Sequence, residues 1–180
     1  MSVLAVVLNW NGGADTPAAL ESLAGIETIC VDNGSTDGSD DAVERAFPDV
    51  ELMRTGENLG FAGGNNVGIE RALERGADWV LLVNNDAVAV PGLEDALSRA
   101  AALRPDAGVL ACKVMFESGA TVMYAGVMTF GLNSTEPRPT FGDTPDNTCL
   151  TAGCIALVLI GAAVALVYFY FGALVSHGSC

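Results

Sequence analysis

The sequence predicts an α/β fold, in which a single three-layer domain with a mostly parallel sheet is followed by an apolar C-terminal tail. Short β-branched, apolar runs alternate with stretches of helical spacing, and short connections join them, which is typical of a parallel sheet flanked by helices. All 22 acidic and all 8 Lys and Arg residues lie at or before Asp146. We therefore place one domain at residues 1–150 and the tail at residues 151–180.

The first half of the domain begins with Val3–Leu8, an apolar run typical of a buried strand. A helix over residues 16–23 is expected next, because a proline falls in its first turn. Thr28–Val31 is a second strand that ends in turn-forming residues. Ser39 is predicted to cap a helix that ends near residue 47, since a serine side chain accepts bonds from free backbone N–H groups.

The second half begins with a short strand at Glu51–Met53. Gly56–Ile69 is predicted to be a glycine-rich loop that runs into a helix ending near Gly76. Trp79–Val83 is a fourth strand, and apolar residues at helical spacing predict a helix over Pro91–Arg104. The last predicted elements are a strand over Val109–Val114 and irregular β structure over residues 115–149.

Composition excludes several classes of function. The net charge of −14 makes the chain a poor partner for nucleic acid, whose binding requires Lys and Arg. The five cysteines are scattered and His177 is the only histidine, so a zinc site, a disulfide framework and a Ser-His-Asp triad are not expected. Reduced thiols and an N-terminus without a basic leader favour a cytoplasmic location.

Polar side chains cluster where three predicted strands end. They are Asn9 and Asn11, Asp32 and Asn33, and Asn84, Asn85 and Asp86. Each cluster alone is consistent with a polar turn, because Asn and Asp bond their own backbone. However, parallel strands share one carboxyl edge, where ligands bind in open α/β sheets. We therefore expect the three clusters to converge on a ligand site.

The glycine-rich segment fails two tests for known phosphate-binding loops. Its glycines follow the third strand, whereas a dinucleotide fingerprint follows the first, and no lysine precedes residue 113 to complete a P-loop. What remains is a loop that lets backbone approach a ligand closely, with Asn65 and Asn66 as donors at a helix start. Close packing without a ligand is the alternative.

Four motifs in order, VVLNWNG, VDNGSTDGS, ENLGFAGGNNVGI and VLLVNNDAVAVPG, resemble inverting nucleotide-sugar glycosyltransferases of family 2. These enzymes have the Rossmann-like glycosyltransferase-A fold, and the rhamnosyltransferase-like subgroup is the most similar. The resemblance is strong over residues 2–113 and continues weakly to about residue 158. It implies metal-assisted, inverting transfer of a sugar, with rhamnose a candidate, from a nucleotide-diphosphate donor. The acceptor would be a carbohydrate or lipid-linked molecule, as in cell-wall or polysaccharide biosynthesis.

The resemblance also implies roles for single residues. The nucleotide would be bound by Asn9, Asn11, Asp32, Asn33, Asn58, Gly60, Gly63 and Asn65. The donor sugar and diphosphate would be bound by Asn84 and Asn85, and Mg²⁺ or Mn²⁺ by Asp86. Mg²⁺ commonly takes only one or two carboxylates plus substrate phosphates, and a cation would reconcile an acidic protein with a polyanionic donor.

The chain departs from the family pattern after LTAGCIALV, residues 150–158. An inverting transfer needs a general base, and the family's acidic residue is missing because residues 147–180 contain no carboxylate side chain. Asp143 and Asp146 are poor substitutes by sequence order, so no catalytic residue is assigned. A non-catalytic, membrane-associated sugar-nucleotide binder is therefore the alternative function. A Rossmann-type oxidoreductase is disfavoured because the fingerprint is absent.

The uncharged stretch Ile155–Val175 has three interpretations. It is long enough to span a bilayer, which would bring the domain to the cytoplasmic face of a membrane. It could instead be a buried element or pack on a partner. The third interpretation is a truncation or frameshift near codons 154–160, which is favoured because every charge is lost where the motifs end.

Overall fold

The structure is a computed structural model that describes residues 1–103, 105, 107–112, 114–115, 122–124 and 157–161. Strands and helices alternate through the first half of the chain, as expected. The strands are β1 (Val3–Asn9), β2 (Glu27–Asp32), β3 (Glu51–Arg54), β4 (Trp79–Asn84), β5 (Val109–Ala111), β6 (Val114–Met115), β7 (Val122–Tyr124) and β8 (Leu157–Gly161). The helices are α1 (Asp15–Ser22), α2 (Ser39–Ala46), α3 (Gly60–Glu74) and α4 (Leu93–Leu103). The predicted α/β class is confirmed.

Six strands form one sheet in the order β3-β2-β1-β4-β8-β5. β1 pairs in parallel with both β2 and β4, and β2 pairs in parallel with β3. Only β8 runs against the other strands of this sheet, because it is antiparallel to its neighbours β4 and β5. The sheet is therefore mostly parallel, as predicted. The chain moves outward from β1 to β3 and then crosses to β4 on the other side of β1. Ligands of α/β sheets bind at such a switch point, at the carboxyl ends of the strands.

The sheet is covered by helices on both faces. Ala5 and Val7 of β1 share a buried cluster with α1, α2 and α4, whereas Leu4 and Val6 share another with α3. All four side chains are almost fully buried. Because alternate residues of a strand point to opposite faces, burial on both faces explains the continuous apolar run that predicted this strand. The predicted three-layer arrangement is confirmed.

The glycine-rich segment is mostly helical, so the prediction of a loop over Gly56–Ile69 was wrong: α3 begins at Gly60. A Cβ atom at Gly68 would lie 3.0 Å from Val31 Cγ2 and would overlap Val6, while one at Gly64 would overlap the Leu8 side chain. These two glycines therefore let the helix backbone lie close against β1 and β2. For them, close packing without a ligand is the better explanation.

Two helix starts differ from the predictions. Ser39 is the first residue of α2 and does not cap it, because Gly38, with a φ of 79°, holds the cap position and no side chain bonds there. The Ser39 hydroxyl donates instead to Asp37 Oδ1, at 2.6 Å. Pro91 precedes α4, which begins at Leu93 after a turn. The predicted strand over residues 109–114 is divided between β5 and β6, and β6 pairs with β7.

The apolar tail contributes a strand to the main sheet. β8 pairs with β4 from Trp79↔Gly161 to Val83↔Leu157. A bilayer-spanning helix over residues 155–175 would have to include these five residues, which lie in the sheet instead. Over the ranges that the structure describes, no helix is both long and apolar enough to cross a membrane. The rest of the tail, the division at residue 150 and most of the irregular segment 115–149 lie outside the described residues, so those expectations stay predictions.

Candidate functional site

The structure brings the three polar clusters together at the carboxyl edge of the sheet. β2, β1 and β4 are adjacent, and Asn9 lies directly beside Asp32 in the register. On the other side of β1, Leu8 is paired with Asn84, so β4 ends level with the same region. The first helix to follow, α1, begins only six positions after Asn9 and lies beside the same edge.

Asn9 is a buried centre of hydrogen bonding, with no exposed surface. Its side-chain amide donates to Asp32 Oδ1 and Ser39 Oγ, both at 2.9 Å, and lies 3.1 Å from Ser35 Oγ. Its side-chain oxygen accepts from Thr16 Oγ1 at 2.6 Å. Because protein groups occupy both ends of this side chain, Asn9 orders its neighbours and has little capacity left for a ligand.

Asp32 is a buried carboxylate that is 3% exposed. Its Oδ1 accepts from Asn9, and its Oδ2 accepts from the Ser35 N–H at 3.2 Å. Its backbone carbonyl accepts from the Thr55 N–H at 3.0 Å, which ties the end of β2 to the end of β3. A buried carboxylate is costly unless hydrogen bonds satisfy it. Each oxygen keeps a further lone pair that a ligand N–H or O–H could use.

Asn33 fastens the start of α3 to the end of β2. Its side-chain amide donates to Asn58 Oδ1 at 3.0 Å and to the Gly60 carbonyl at 3.2 Å, and its oxygen accepts from the Leu59 N–H at 3.0 Å. The loop that it holds is exposed. The Asn58 amide nitrogen has no hydrogen-bond partner within the described ranges, so it is available as a donor.

Asn11 fastens the loops after β1 and β2 to one another. It is the non-glycine residue with positive φ, 52°, among the described residues, a conformation that asparagine tolerates. Its side-chain oxygen accepts from the Thr36 N–H at 2.8 Å, and its own N–H donates to Ser35 Oγ at 2.9 Å. Next to it, the Asp37 carboxylate accepts from the Gly13 N–H and from Ser39, and the hydrogen bond from Ser39 lowers the pKa of Asp37.

The third cluster is the most open of the three. Asn85 donates from its amide to Thr16 Oγ1 at 3.3 Å, and the Ala87 N–H bonds the Asn84 carbonyl in a turn. Asp86 is exposed, and its carboxylate makes no hydrogen bond or ion pair within the described ranges. Asp86 is therefore a free anionic group at the edge, in contrast to the satisfied carboxylate of Asp32.

The side-chain oxygens at this edge could supply only some of the ligands that a divalent cation needs. No three His, Cys, Asp or Glu side chains of the described chain cluster closely enough to hold a metal ion. One free carboxylate, Asp86, and the neighbouring amide oxygens of Asn84 and Asn85 are oxygen ligands of the kind that Mg²⁺ and Mn²⁺ prefer. This set suits a cation that takes its remaining ligands from a phosphorylated substrate and water. It does not suit an all-protein metal cage.

The cation nearest to Asp32 along the sheet is already paired. Arg54 lies opposite Asp32 in the β2–β3 register, but its guanidinium bonds Asp40 at 2.9 Å and Glu44 at 3.1 and 3.2 Å. These hydrogen bonds raise the pKa of Arg54 and lower the pKa of both carboxyl groups. Because Arg54 is committed to α2, a bound polyanion would find little free positive charge at this edge.

Not every residue that the sequence indicated is open to a ligand. Asn65 is 2% exposed, and its amide donates to the Phe61 carbonyl at 2.9 Å inside α3. Gly60 and Gly63 lie in the first turn of the same helix. Asn66 is also helical, and its Oδ1 is buried with no hydrogen-bond partner among the described residues.

Sequence reasoning missed three residues that bond the polar clusters. Thr16, Ser35 and Ser39 all contact the Asn9 side chain. The two serines lie within DNGSTDGS, a turn-forming motif directly after β2, and this motif is the sequence signal that points to them. Thr16 carries no local signal, because a threonine at the start of a helix is ordinary and its partners are distant in sequence.

The chain is similar to known glycosyltransferases. The family model for glycosyl transferase family 2 matches residues 5–158. Among curated proteins, an N-acetylglucosaminyl-diphospho-decaprenol L-rhamnosyltransferase of Mycobacterium tuberculosis is 38% identical over 93 residues. That match covers 47% of this chain and 30% of the relative, so the chain matches less than a third of the relative's length.

Solved structures with a similar fold include two complexes with nucleotide ligands. The mannosyltransferase PcManGT from Pyrobaculum calidifontis, in complex with GDP-Man and Mn²⁺, has a TM-score of 0.50 and 26% identity, covering 61% of this chain and 34% of its own. TarS 1–349 of S. aureus, in complex with UDP, has a TM-score of 0.54 and 25% identity, covering 69% of this chain and 38% of its own. The predicted glycosyltransferase-A fold is thereby confirmed.

Proposed function

The chain belongs to glycosyl transferase family 2, and we propose that it binds a nucleotide-diphosphate sugar at the carboxyl edge of β2, β1 and β4 and transfers the sugar to an acceptor. The observation that carries this proposal is a pair of unlike carboxylates on either side of β1. Asp32 is buried and held by hydrogen bonds, whereas Asp86 is exposed and free. Asp32 suits recognition of a neutral hydroxyl or N–H group of the ligand, and Asp86 suits binding of a cation.

In the nucleoside half, Asp32 would accept a hydrogen bond from the base or ribose of the donor. Its orientation is fixed by Asn9 and Ser35, so a ligand hydroxyl or N–H meets an acceptor that needs no reordering. Asn11 and Asn58 lie on exposed loops at the same edge and would donate from their amides. Asn33 would act indirectly, because its own amide is spent on holding the Asn58 loop.

In the diphosphate half, Asp86 would hold Mg²⁺ or Mn²⁺ together with oxygens of the donor diphosphate, while the Asn84 and Asn85 side chains contact the diphosphate and sugar. A bound cation would neutralise the negative charge that develops on the leaving nucleoside diphosphate. The net charge of −14 makes such a cation important, because the chain itself would repel a polyanion. The complex of PcManGT with GDP-Man and Mn²⁺ supports this choice of ions.

The relatives suggest a donor and an acceptor class. The relative from Mycobacterium tuberculosis is named for transfer of L-rhamnose to a diphospho-decaprenol-linked sugar. We accordingly propose rhamnose as the first sugar to test, in an inverting displacement, and a lipid-linked saccharide as the first acceptor. A lipid-linked acceptor would bring the domain to a membrane surface, on its cytoplasmic face.

The general base of the transfer is unassigned. Residues 147–180 contain no Asp or Glu, and Asp143 and Asp146 lie outside the described residues. This absence from the sequence supports a second candidate function, in which the chain binds the donor but does not transfer the sugar. A product assay with a nucleotide-diphosphate-rhamnose donor and a lipid-linked acceptor distinguishes the two. Transfer above the rate without protein favours the enzyme, and donor binding without product favours the binder.

Calorimetric titration with UDP and with dTDP tests the donor site. We expect Asp86→Asn to weaken binding about tenfold in the presence of Mn²⁺, a loss of about 1.4 kcal/mol, and to change it little without the metal. Asp32→Asn should weaken binding under both conditions. Asp49→Asn is the control, because it removes the same charge at an exposed position just before the amino end of β3, whereas the site lies at the carboxyl ends of the strands. This variant should bind as the wild type does. Equal binding by wild type and Asp86→Asn would refute the metal site.

A further inference from the structure

A row of four hydrogen-bonded side chains runs beneath the polar edge. Asn85 Nδ2 lies 3.3 Å from Thr16 Oγ1, Thr16 Oγ1 lies 2.6 Å from Asn9 Oδ1, and Asn9 Nδ2 lies 2.9 Å from Asp32 Oδ1. The row starts after β4, passes through α1 and β1, and ends on β2. The row thus links the polar residues after β4 to those at the end of β2, and Thr16 of α1 is one of its members.

The direction of every bond in this row is determined by its last member. A carboxylate only accepts hydrogen bonds, so Asp32 must face the amide nitrogen of Asn9 and not its oxygen. The Asn9 oxygen therefore faces Thr16, whose hydroxyl must donate to it and can then accept from Asn85. Each group donates to the next, and hydrogen bonds aligned in this way polarise one another.

Water has little access to the middle of the row. Asn9 and Thr16 are fully buried, and Asp32 is nearly so. Gly12 packs directly against the point where these side chains meet. A Cβ atom at that position would overlap Thr16 Oγ1 and Asn85 Nδ2, and it would lie 2.6 Å from Asn9 Oδ1. The space at the junction therefore accommodates these three side chains and a glycine, and no larger residue.

We propose that Thr16 is a positioning residue that couples the nucleoside half of the donor site to the diphosphate half. Its single hydroxyl accepts from Asn85, the neighbour of Asp86, and donates to Asn9, which holds Asp32. A donor group that engages Asp32 would thereby favour the side-chain arrangement that receives the diphosphate. This inference rests on the proposed donor site, but the bond row itself can be tested without any nucleotide.

The first test separates the hydroxyl of Thr16 from its volume. Thr16→Val keeps the shape and removes both bonds, whereas Thr16→Ser keeps the hydroxyl. Thr28→Val is the matched control, because Thr28 is also buried and its hydroxyl bonds the Ile26 carbonyl at 2.8 Å, at the start of β2 and far along the strand from the site. In calorimetric titration with UDP and Mn²⁺, we expect Thr16→Val to bind about tenfold more weakly. Thr16→Ser should restore most of the affinity, and Thr28→Val should bind as the wild type does.

The second test measures the coupling in the protein without nucleotide. Nuclear magnetic resonance of asparagine side-chain amides reports on Asn85, and Asp32→Asn perturbs the other end of the row. We expect Asp32→Asn to shift the Asn85 amide signals in the Thr16 and Thr16→Ser backgrounds, and not in Thr16→Val. If Thr16→Val does not fold, the Thr16 and Thr16→Ser backgrounds still test the coupling. If Asp32→Asn leaves the Asn85 amide signals unchanged in both, the coupling is overturned.

The two tests together distinguish failure of this inference from failure of the proposed function. A wild-type chain that binds neither UDP nor dTDP, but transmits the Asp32 change to Asn85, refutes the donor site and keeps the bond row. A chain that binds UDP but transmits nothing refutes the positioning role alone. Thr16→Val binding UDP with wild-type affinity also overturns the positioning role, whatever the resonance signals show.

Discussion

Replacing Asn9 with aspartate should make the stability of the folded domain depend strongly on pH. The substitution changes no volume, but it puts a carboxyl oxygen where the Asn9 amide nitrogen now lies, 2.9 Å from Asp32 Oδ1. Both positions are almost completely shielded from solvent. Two buried carboxylates this close cannot both ionise cheaply, so the pKa of the introduced carboxyl is raised in the folded state.

The magnitude follows from linkage between protonation and folding. In the unfolded chain the introduced carboxyl ionises with a pKa of about 3.9. If its folded pKa exceeds the experimental pH, the folded state must retain a proton that the unfolded state has lost, at about 1.4 kcal/mol per pH unit. The loss relative to wild type is then about 1.5 kcal/mol at pH 5 and about 4 kcal/mol at pH 7. Stability is thus present at low pH and is lost as pH rises towards the folded pKa.

The free energy of unfolding, measured by urea titration with far-ultraviolet circular dichroism at several pH values between about 5 and 7, checks this slope. The double variant Asn9→Asp/Asp32→Asn is the control, because it exchanges the two groups and leaves a single carboxyl in the buried pair. Its loss relative to wild type should therefore change much less with pH than that of Asn9→Asp. A parallel pH dependence for Asn9→Asp and the double variant would refute the reasoning, since the introduced carboxyl would then lie in water or away from Asp32.

Three further predictions concern residues around the site. Arg54→Gln should raise the pKa of Asp40 towards its ordinary value, because the Arg54 hydrogen bond lowers it, and carboxyl resonances followed through an acid titration would reveal this change. Gly68→Ala should destabilise the domain by about 1–3 kcal/mol in urea unfolding, since overlap with Val6 outweighs the better helix propensity of alanine, worth at most about 1 kcal/mol. Cys30 is fully buried and its pKa is raised to about 12, mainly by burial, so peptide mapping should show it unalkylated by iodoacetamide in the native protein at pH 8 and alkylated after unfolding.

Much of the first half of the fold could be predicted because each strand carries its own signal. β1 and β4 are apolar on both faces and end in asparagine, so their period and their ends are visible in the sequence. α3 was missed in its first turns because glycine and asparagine have low helix propensity. The glycines serve contacts with Val6 and Leu8 of β1, and such tertiary contacts leave no local mark.

In the candidate site, too, the sequence predicts the features that depend on strand ends and does not predict those that depend on tertiary contacts. The end of each strand identifies Asn9, Asp32 and Asp86 as edge residues, because parallel pairing alone brings them together. Sequence order could not reveal that Asn9 is enclosed and Asp86 free, since this difference depends on Thr16 and Ser39 filling the space around Asn9. The insertion of β8 between β4 and β5 was equally hidden, because it pairs residues far apart in the chain.

The position of β8 has a consequence for how the chain is made. During synthesis β1, β2, β3 and β4 can pair as soon as they emerge, but the outer edge of β4 receives its neighbour only after residues 157–161 have been added. Until then that edge is an open row of backbone donors and acceptors, which invites pairing with another chain. β5 must also wait, because within the described sheet it pairs only with β8. A chain stopped at residue 150 is therefore expected to self-associate, and light scattering compared with the full chain would detect it. Among the described strands, β8 is therefore the one that completes the sheet, and it does so late in synthesis.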